Sequence, residues 1–418
     1  MKEINTKRIL FVGYNFSPEL TGIGKYSGEM MHWLAEKGHE CTVLTSYPYY
    51  PYWQVQEPYR KNRFWYKKEV THFESGGKLK VIRCPMYVPK KPSGTKRMLL
   101  DTSFSISAFL VGIPLLFAKK YSKIITVAPS FQFGLLGVFY KKIKGAMHIH
   151  HIQDMQIEAA QDLGMIKSPK FLKALYGLEK YIYRNTDMIS SISDGMIERI
   201  ERKAQKPISF FPNWTETKNF YPIEDTSKLK VEFGFKSTDY IVLYSGGIGE
   251  KQGLDAILTS AKNLASHHQL QFIICGTGPY KQILKGKAET MNLNNVHFTP
   301  LQPKECFNKF LNIADLHLVI QKEKASDLVM PSKLTTILAV GGLSLITANP
   351  NSSLHRVVSK HGMGILVAPE NQEALDKGIL IGLGELDNQD IKKAARAYAE
   401  NFLAIDMVMN NFNEKITA

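Results

Sequence analysis

The stretch ELTGIGKYSGEM, residues 19–30, follows the apolar run 9–12 and leads into a segment with helical periodicity. Glycines and a lysine directly after a predicted strand are typical of a phosphate-binding turn. Neither standard phosphate motif fits. A P-loop would need a glycine at Glu19 and a Ser or Thr at Tyr26, and a dinucleotide fingerprint would need its third glycine at Ser27. The stretch predicts a strand, a glycine-rich turn and a helix, but it does not identify the phosphate.

The alternation of strand-like and helix-like segments continues along the whole chain and divides into two series. Helical patterns at 27–37 and 170–183 separate strands of the first series. The predicted strands are 8–12, 40–45, 80–84, 124–127, 147–152 and 188–191, then 240–245, 271–275, 296–298, 316–320, 344–347 and 364–367. The segment FFPNWTETKNFYP, residues 210–222, breaks any period between the series. This order predicts an α/β chain with two doubly wound parallel sheets and a boundary near residue 206.

Composition agrees with two globular domains. The chain has 418 residues, which exceeds one comfortable core, and it is 44% hydrophobic and 22% charged. Its four cysteines are far apart and form no CxxC pair, which argues against a zinc site and favours a reducing cytoplasm. Residues 1–12 lack an apolar stretch long enough for a signal peptide, so we expect a cytoplasmic protein.

The net charge of +15 is concentrated in the first half. Residues 1–205 hold 31 Lys and Arg against 17 Asp and Glu, a balance of +14, whereas residues 206–418 hold 22 against 21, a balance of +1. A basic face attracts nucleic acid, an anionic membrane surface or a phosphorylated lipid, or it is a solvated surface. No helix-turn-helix, zinc-finger or RNP-type signature is present, so no nucleic-acid partner is expected.

Two glycine-rich stretches follow strands of the second series. In LYSGGIGEKQG (243–253), glycines such as Gly247 let backbone amides approach a ligand, and Lys251 supplies a positive charge. In IICGTGPYK (273–281), Gly276 and Gly278 form a G-x-G-P turn, which is weaker evidence because tight strand–helix turns need glycine anyway.

A third stretch, SDLVMPSKLTTILAVGG (326–342), predicts an anion site at a helix start. Pro331 suits the first helical turn, so the amides of Ser332 and Lys333 would point outward at the positive end of the helix. A lysine is unfavourable at that end unless an anion is bound there. This combination of free amides and a lysine predicts a diphosphate site in the second domain.

The histidines His148, His150 and His151 suggest a metal site, but a structural or substrate-contacting role is the better interpretation. In a strand, the side chains of His148 and His150 share a face and His151 points away. No third ligand and no Asp-x-Asp motif after a strand is evident, so no metal is expected.

The order of these motifs is similar to that of retaining GT-B glycosyltransferases of glycosyltransferase family 4. The likeness covers almost the whole chain and is strongest to bacterial exopolysaccharide enzymes of the colanic-acid type. It is carried by FSPELTGIGKY (16–26), HHIQDMQIEAAQDLGM (150–165), PNW (212–214), YSGGIGEKQGLD (244–255), CGTGPYK (275–281) and MPSKLTTILAVGG (330–342).

The resemblance implies two Rossmann-like domains facing a cleft. Residues 1–205 would bind the acceptor, residues 206–395 would bind the nucleotide sugar, and a C-terminal helix, 396–418, would cross back to the first domain. Gly22 and Gly24 would form a loop that closes across the cleft on the diphosphate and sugar, unless these glycines only turn the chain. The expected reaction is hexosyl transfer with retention from a UDP- or GDP-sugar, without cofactor or metal, to a saccharide acceptor.

Two departures from the family pattern affect the assignment of residues. The usual Glu-x7-Glu positions hold Leu328 and Thr336, so neither supplies the carboxylate that contacts donor hydroxyls in the family. The His-Asp pair that many relatives carry reads Gln153-Asp154, which makes Asp154 the candidate for orienting or deprotonating the acceptor hydroxyl. Gln153 can hydrogen-bond but cannot act as a base. Lysines and helix amides would neutralise the leaving diphosphate, and the leaving phosphate would help to accept the proton.

Membrane association rests on two segments. FSISAFLVGIPLLFA (104–118) is too short for a comfortable span, and is either a buried helix or a membrane-docking helix. YPYYPYWQVQEPYRKNRFWYKK (47–68) interleaves nine aromatic with five basic residues, as at a lipid interface, or it covers an acceptor groove. A polyprenyl-diphosphate-linked acceptor at the inner face of the cytoplasmic membrane would explain both.

Two other functions remain compatible with the same architecture. A sugar-nucleotide epimerase would convert the donor alone, without a second substrate. A non-catalytic binding protein would bind nucleotide and show no turnover.

Overall fold

A computed structural model describes residues 7–19, 22–162, 166, 168–323, 331–350 and 352–417. The chain divides into two compact units, Met1–Pro212 with Met409–Ala418, and Asn213–Val408. Each unit contains one sheet flanked by helices.

The first unit is built on an eight-stranded sheet. Its strands are β1 (Arg8–Val12), β2 (Glu40–Ser46), β3 (Lys67–His72), β4 (Lys78–Cys84), β5 (Lys123–Ala128), β6 (Met147–Ile152), β7 (Met188–Ser191) and β8 (Ser209–Phe210). The strand order is β3-β4-β2-β1-β5-β6-β7-β8, parallel except for the antiparallel pair β3 and β4. Its helices are α1 (Gly22–Glu36), α2 (Gly94–Phe117), α3 (Phe133–Lys144), α4 (Gln156–Asp162), α5 (Pro169–Asn185) and α6 (Asp194–Ala204).

The second unit is built on a six-stranded, wholly parallel sheet. Its strands are β9 (Tyr240–Ser245), β10 (Leu270–Cys275), β11 (Val296–Thr299), β12 (Leu316–Val319), β13 (Ser344–Thr347) and β14 (Ile365–Val367), in the order β11-β10-β9-β12-β13-β14. Its helices are α7 (Ser227–Glu232), α8 (Asp255–Asn263), α9 (Lys281–Thr290), α10 (Lys304–Asn312), α11 (Lys333–Ala339), α12 (Ser353–His361), α13 (Gln372–Gly384) and α14 (Gln389–Tyr398), and the last helix of the chain is α15 (Ile405–Thr417).

The sheet order locates the ligand-binding edge of each unit. The strand order reverses between β1 and β5 in the first sheet and between β9 and β12 in the second. Ligands of doubly wound folds bind at such switch points, outside the carboxyl ends of the strands. The loops that follow these strands are therefore where functional residues are expected.

Three elements differ from the sequence-based expectation. Helix α1 begins at Gly22 instead of residue 27, so the predicted glycine loop forms the first turn of a helix. Strand β3 was not predicted because five of its six residues are polar, and it pairs only at the sheet edge. The predicted helix 396–418 is interrupted, because Ala404 is extended and bridges Thr215 before α15 begins. In the first unit, Phe412 of α15 stacks on Phe211 with ring centroids 4.1 Å apart.

Candidate active site

Two glycine-rich loops at the carboxyl ends of β9 and β10 pair through their backbones. The amides of Gly246 and Ile248 each donate to a carbonyl of the neighbouring loop at 2.9 Å. A Cβ atom at Gly276 would collide with the Gly246 carbonyl oxygen, and one at Gly278 would collide with the carbonyl oxygen of Ile248. These two glycines, predicted as donor contacts, thus allow one loop to pack on the other. Their role in donor binding stays a prediction.

Gly247 is different, because it lies at the exposed tip of the first loop. A Cβ atom there would have no neighbour within 4 Å among the described residues, so nothing in that part of the protein requires a glycine. A ligand that lies close to the backbone at this position would require a glycine, as the sequence predicts.

The substitution Gly276→Ala is expected to destabilise the protein, whereas Gly247→Ala is expected to leave its stability unchanged. At position 276 the added Cβ collides with the Gly246 carbonyl oxygen, and the backbone has a φ of 149°. This substitution should therefore lower the free energy of unfolding by about 2–4 kcal/mol. Gly247→Ala should change it by less than about 0.5 kcal/mol but weaken nucleotide-sugar binding. Urea denaturation and calorimetric titration of both variants measure the two effects. Equal stability of the variants would contradict the packing role of Gly276.

The ammonium group of Lys333 lies over the aromatic face of Tyr244, with Nζ 3.5 Å from the ring centroid. A Cβ atom at Gly246 would lie only 2.9 Å from this nitrogen, so the glycine leaves room for the lysine. The Tyr244 hydroxyl donates to the carbonyl of Gly247 at 2.7 Å, which fixes the ring beneath the loop. The sequence predicted a charge near this loop but not the ring that supports it.

Burial lowers the pKa of Lys333 to about 7. Within the described part of the chain, Lys333 forms no ion pair with an Asp or Glu. A desolvated cation that has no carboxylate partner among the described residues favours binding of an anion, because the anion restores the charged form. This group is the strongest structural indication of a diphosphate site.

The remaining predicted donor residues are placed only in part. Helix α11 begins at Lys333, and Ser332 is its exposed N-cap residue with helical backbone angles. Lys251 lies in a short 3₁₀ turn, Glu250–Gln252, and its side chain lies outside the described structure. Residues 324–330, which include the Leu328 position of the family pattern, also lie outside the described structure. So do residues 20–21 and 163–165 of the quoted motifs.

A cavity of about 370 Å³ opens at the carboxyl edge of the second sheet, beside the switch point between β9 and β12. Its volume is within the range of small-molecule sites. It is lined by the loops after β9, β12 and β14, the end of β13 and the starts of α8 and α13, including Asp255, Lys322, Thr347, Glu370 and Gln372. Sequence reasoning missed this set. The polar residues directly after the predicted strands 316–320 and 364–367 were the sequence signal that could have indicated these cavity residues.

Acidic groups gather at the carboxyl edge of the first sheet. Asp154 follows β6, is half-buried and lines a small cavity with Met155 and Tyr183. Burial and the negative charge of Asp101 raise the pKa of Tyr14 well above its usual range, and the charge of Asp154 acts in the same direction. The two carboxylates therefore lie near one phenol at this edge. A pair of acidic groups at a strand-end site can orient or deprotonate a hydroxyl.

Asp101 was not anticipated as part of this cluster. It projects from α2, is buried, and accepts a hydrogen bond from the Gln156 amide nitrogen at 2.9 Å. Burial raises the pKa of Asp101 to about 6. Gln156 lies two residues beyond Asp154, so this contact fixes the loop that carries Asp154. Gln153, the other predicted catalytic residue, is buried.

A second unexpected acid, Glu19, holds the loop after β1. Its carboxylate accepts hydrogen bonds from the amides of Tyr49 and Tyr50 at 3.0 and 2.9 Å, and from the Asn15 side chain at 2.9 Å. Burial raises the pKa of Glu19 to about 7, although these hydrogen bonds oppose the shift. A Cβ atom at Gly24 would collide with this carboxylate. Gly24 is therefore required by the packing of Glu19, and a contact of Gly22 and Gly24 with the donor stays a prediction.

The three histidines of β6 are buried and hydrogen-bonded to the neighbouring strands. A substrate-contacting role stays a prediction, since His150 also lines the cavity beside Asp154. His148 and His150 share the hydroxyl of Thr126, each at 2.8 Å, whereas His151 contacts Ser190 on the other side at 3.0 Å. Burial lowers the pKa of His150 to about 4 and that of His151 to about 3, so both are neutral near pH 7. Within the described residues, no group of three or more His, Cys, Asp or Glu could hold a metal ion.

Comparison with known proteins identifies the family. Residues 225–398 match the family described as Glycosyl transferases group 1, and residues 21–214 match that described as Glycosyl transferase 4-like domain. The chain is 40% identical over 415 residues to WcaI of Escherichia coli (strain K12), to which a role as a colanic acid biosynthesis glycosyl transferase is ascribed. The match covers 97% of this chain and 98% of WcaI.

Solved structures share the fold at low sequence identity. Sucrose-phosphate synthase from Thermosynechococcus elongatus has a TM-score of 0.74 at 16% identity, over 98% of each chain. HepE of Anabaena, solved in complex with UDP and glucose, has a TM-score of 0.68 at 13% identity, over 98% of this chain and 99% of HepE. The predicted GT-B architecture is confirmed. The chain belongs to the group 1 glycosyltransferases of retaining glycosyltransferase family 4.

Proposed function

We propose that this glycosyltransferase moves a hexose from a UDP- or GDP-sugar to a saccharide linked to polyprenyl diphosphate. The product would be a repeat-unit intermediate of a colanic-acid-type exopolysaccharide, made at the inner face of the cytoplasmic membrane. The observation that carries the proposal is the 40% identity to WcaI over nearly the full length of both chains. The UDP and glucose bound by HepE support a nucleotide-sugar donor on this fold.

On the donor side, Lys333 is proposed to bind the diphosphate. The bond between the anomeric carbon and the diphosphate oxygen breaks, and negative charge develops on the leaving group. A preorganised ammonium group stabilises that charge more in the transition state than in the ground state. The exposed backbone at Gly247, and Lys251 in the adjacent turn, complete the proposed phosphate contacts.

On the acceptor side, Asp154 is proposed to orient the acceptor hydroxyl. The hydroxyl oxygen forms the new bond to the anomeric carbon, and its proton passes to the leaving diphosphate on the same face of the sugar. This path retains the configuration without a covalent sugar–enzyme intermediate. Asp101 and Gln156 hold the Asp154 loop in place through their hydrogen bond.

Thermal denaturation with a panel of nucleotide sugars, followed by incubation with lipid-linked saccharides, tests the proposal. A donor present at about 100 times its dissociation constant should add about 2.7 kcal/mol to the free energy of unfolding. Mass spectrometry should then show a lipid product heavier by one hexose. Stabilisation by no nucleotide sugar, or donor turnover that yields only an epimer or free sugar, would contradict the proposal.

A further inference from the structure

Helix α2 exposes a continuous apolar surface. Ile106, Leu110, Ile113 and Phe117 follow the i, i+4, i+7, i+11 spacing of one helix face, and Phe117 is 87% exposed. The neighbouring helix α3 extends this surface, because the rings of Phe109 and Phe139 lie 5.5 Å apart. We call the set the α2–α3 face; its exposed residues are Ile106, Phe109, Leu110, Ile113, Phe117, Phe139 and Ile143. Such a surface on a soluble domain marks an interaction site.

The opposite face of α2 is part of the protein core. Leu100, Phe104, Ala108 and Leu115 are buried in the same apolar cluster as residues of β1, β2 and β4. By length and composition α2 could cross a membrane. Spanning would, however, remove these side chains from the core and take the buried Asp101 into lipid. The packing therefore favours contact of the outer face with a surface over insertion of the whole helix.

Charge identifies the surface that the α2–α3 face would meet. Between Asp101 and Asp154 the sequence contains six lysines and no acidic residue. Two of them, Lys119 and Lys120, follow the end of α2, and Lys142 and Lys144 lie in the last turn of α3. The two helix ends are adjacent, since a Cβ atom at Gly145 would lie 3.4 Å from the Lys120 nitrogen. An apolar surface with lysines along one rim matches the acyl and headgroup layers of an anionic leaflet.

We propose that the α2–α3 face docks the enzyme on an anionic lipid bilayer. The apolar side chains enter the outer part of the acyl layer, and the four lysines contact lipid phosphates. The inference deepens the proposed function, since it names the surface at which a lipid-linked acceptor would be met. On its buried side α2 carries Asp101, which holds Gln156 beside the Asp154 loop. One helix therefore connects the docking surface with the proposed acceptor site.

The aromatic-basic segment 47–68 does not form this surface by itself. Tyr47 and Tyr49 are buried, whereas Phe64 and Trp65 are exposed. Tyr66 donates to the Ser107 carbonyl of α2 at 3.2 Å, so the segment is packed on α2. Its other exposed aromatic residues are Tyr50 and Tyr52, and its basic residues provide a second set for comparison.

Co-sedimentation of the full chain with phosphatidylcholine vesicles, with or without phosphatidylglycerol, tests the proposal. The wild type should sediment with anionic vesicles, and less so as salt increases. Replacing Ile106, Leu110, Ile113 and Phe117 by Ser should reduce partitioning at least tenfold. Replacing Lys119, Lys120, Lys142 and Lys144 by Gln should reduce it by about fivefold for each lysine that contacts the leaflet, for anionic vesicles only.

Matched variants separate docking from general loss of hydrophobicity. Replacing the similarly exposed Val231, Ile283, Ile381 and Phe402 of the second unit by Ser should leave sedimentation unchanged. Wild-type sedimentation of the Ile106/Leu110/Ile113/Phe117 variant would overturn the proposal. Vesicle binding that is lost only when Arg60, Lys61, Arg63, Lys67 and Lys68 are neutralised would also overturn it. So would a wild type that forms a dimer and does not bind vesicles, if the Ile106/Leu110/Ile113/Phe117 variant is monomeric. Donor-induced thermal stabilisation, measured without vesicles, tests the proposed function separately, since docking does not contribute to it.

Discussion

Replacing Asp154 by Asn is expected to reduce sugar transfer by about 10²–10⁴ while nucleotide-sugar binding persists. The substitution keeps the shape of the side chain and removes its charge. Asp154 lies at the carboxyl edge of the first sheet, near Asp101 and Tyr14, far along the chain from the predicted diphosphate residues. The loss should therefore appear in the rate of transfer and not in the affinity for the donor.

The measurement is the initial rate of product formation at saturating donor, with donor affinity determined separately by calorimetry. Asp194→Asn is the matched control, because it removes an exposed carboxylate of the same unit at the start of α6. Wild-type transfer by Asp154→Asn would remove this residue from the mechanism. Loss of donor binding together with transfer would show that the substitution disturbs the fold.

Replacing Lys333 by Met is expected to weaken nucleotide-sugar binding by about 10- to 100-fold and to abolish its pH dependence between pH 6 and 9. A hydrogen bond to a charged group contributes about 1.5–3 kcal/mol. In the free protein, burial lowers the pKa of Lys333 to about 7, so the ammonium loses its proton above about that pH. A bound diphosphate favours the charged form and raises the pKa. Wild-type affinity should thus fall as the pH rises above about 7, with uptake of a proton on binding.

The stability of the free protein should show the opposite trend. The unfolded chain keeps the Lys333 proton up to about its ordinary pKa of 10.5, whereas the native state releases it near 7. Because the unfolded state binds more protons between these values, this group makes stability rise with pH across that interval. Below about pH 7 Lys333 is charged in both states, and its unfavourable contribution to stability is fully present.

Calorimetric titration with UDP-glucose and GDP-mannose, in buffers of different ionisation enthalpy, measures affinity and proton uptake together. The diphosphate diesters of these donors do not titrate near neutral pH, so the proton taken up on binding is bound by the protein and is supplied by the buffer. Lys285→Met removes an exposed lysine of the same unit and serves as the control. A pH profile that is flat in the wild type, or unchanged in Lys333→Met, would exclude Lys333 from the diphosphate site.

The strands were predictable because buried parallel strands are continuous apolar runs. Strand β9, YIVLYS, is buried over four of its six residues and was predicted with its observed bounds. Strand β3, KKEVTH, carries mostly exposed polar side chains at the sheet edge, and no periodicity distinguishes it from a loop. Helix α1 was predicted too short, because glycines at its start were read as a loop although Gly24 is packed on Glu19.

The site was predictable in residue type but not in contacts. A lysine after Pro331-Ser332 indicated an anion, yet the ring beneath it, Tyr244, is distant in sequence and reaches it only through the fold. The glycines of G-x-G-P are predicted to contact the donor, and that contact stays a prediction; the backbone packing that also requires Gly276 and Gly278 could not be inferred from the sequence. Asp101 was not anticipated, because a single acid in an apolar helix gives no sequence signal of its hydrogen bond to Gln156.

We propose that the chain transfers a sugar with retention to a lipid-diphosphate-linked saccharide. The most direct measurement is the anomeric configuration of the new linkage, determined from the one-bond C1–H1 coupling of product made from ¹³C-labelled nucleotide sugar. We expect the product, heavier than the acceptor by one hexose, to keep the anomeric configuration of the donor. A linkage of inverted configuration, or consumption of the donor without a linked product, would contradict it.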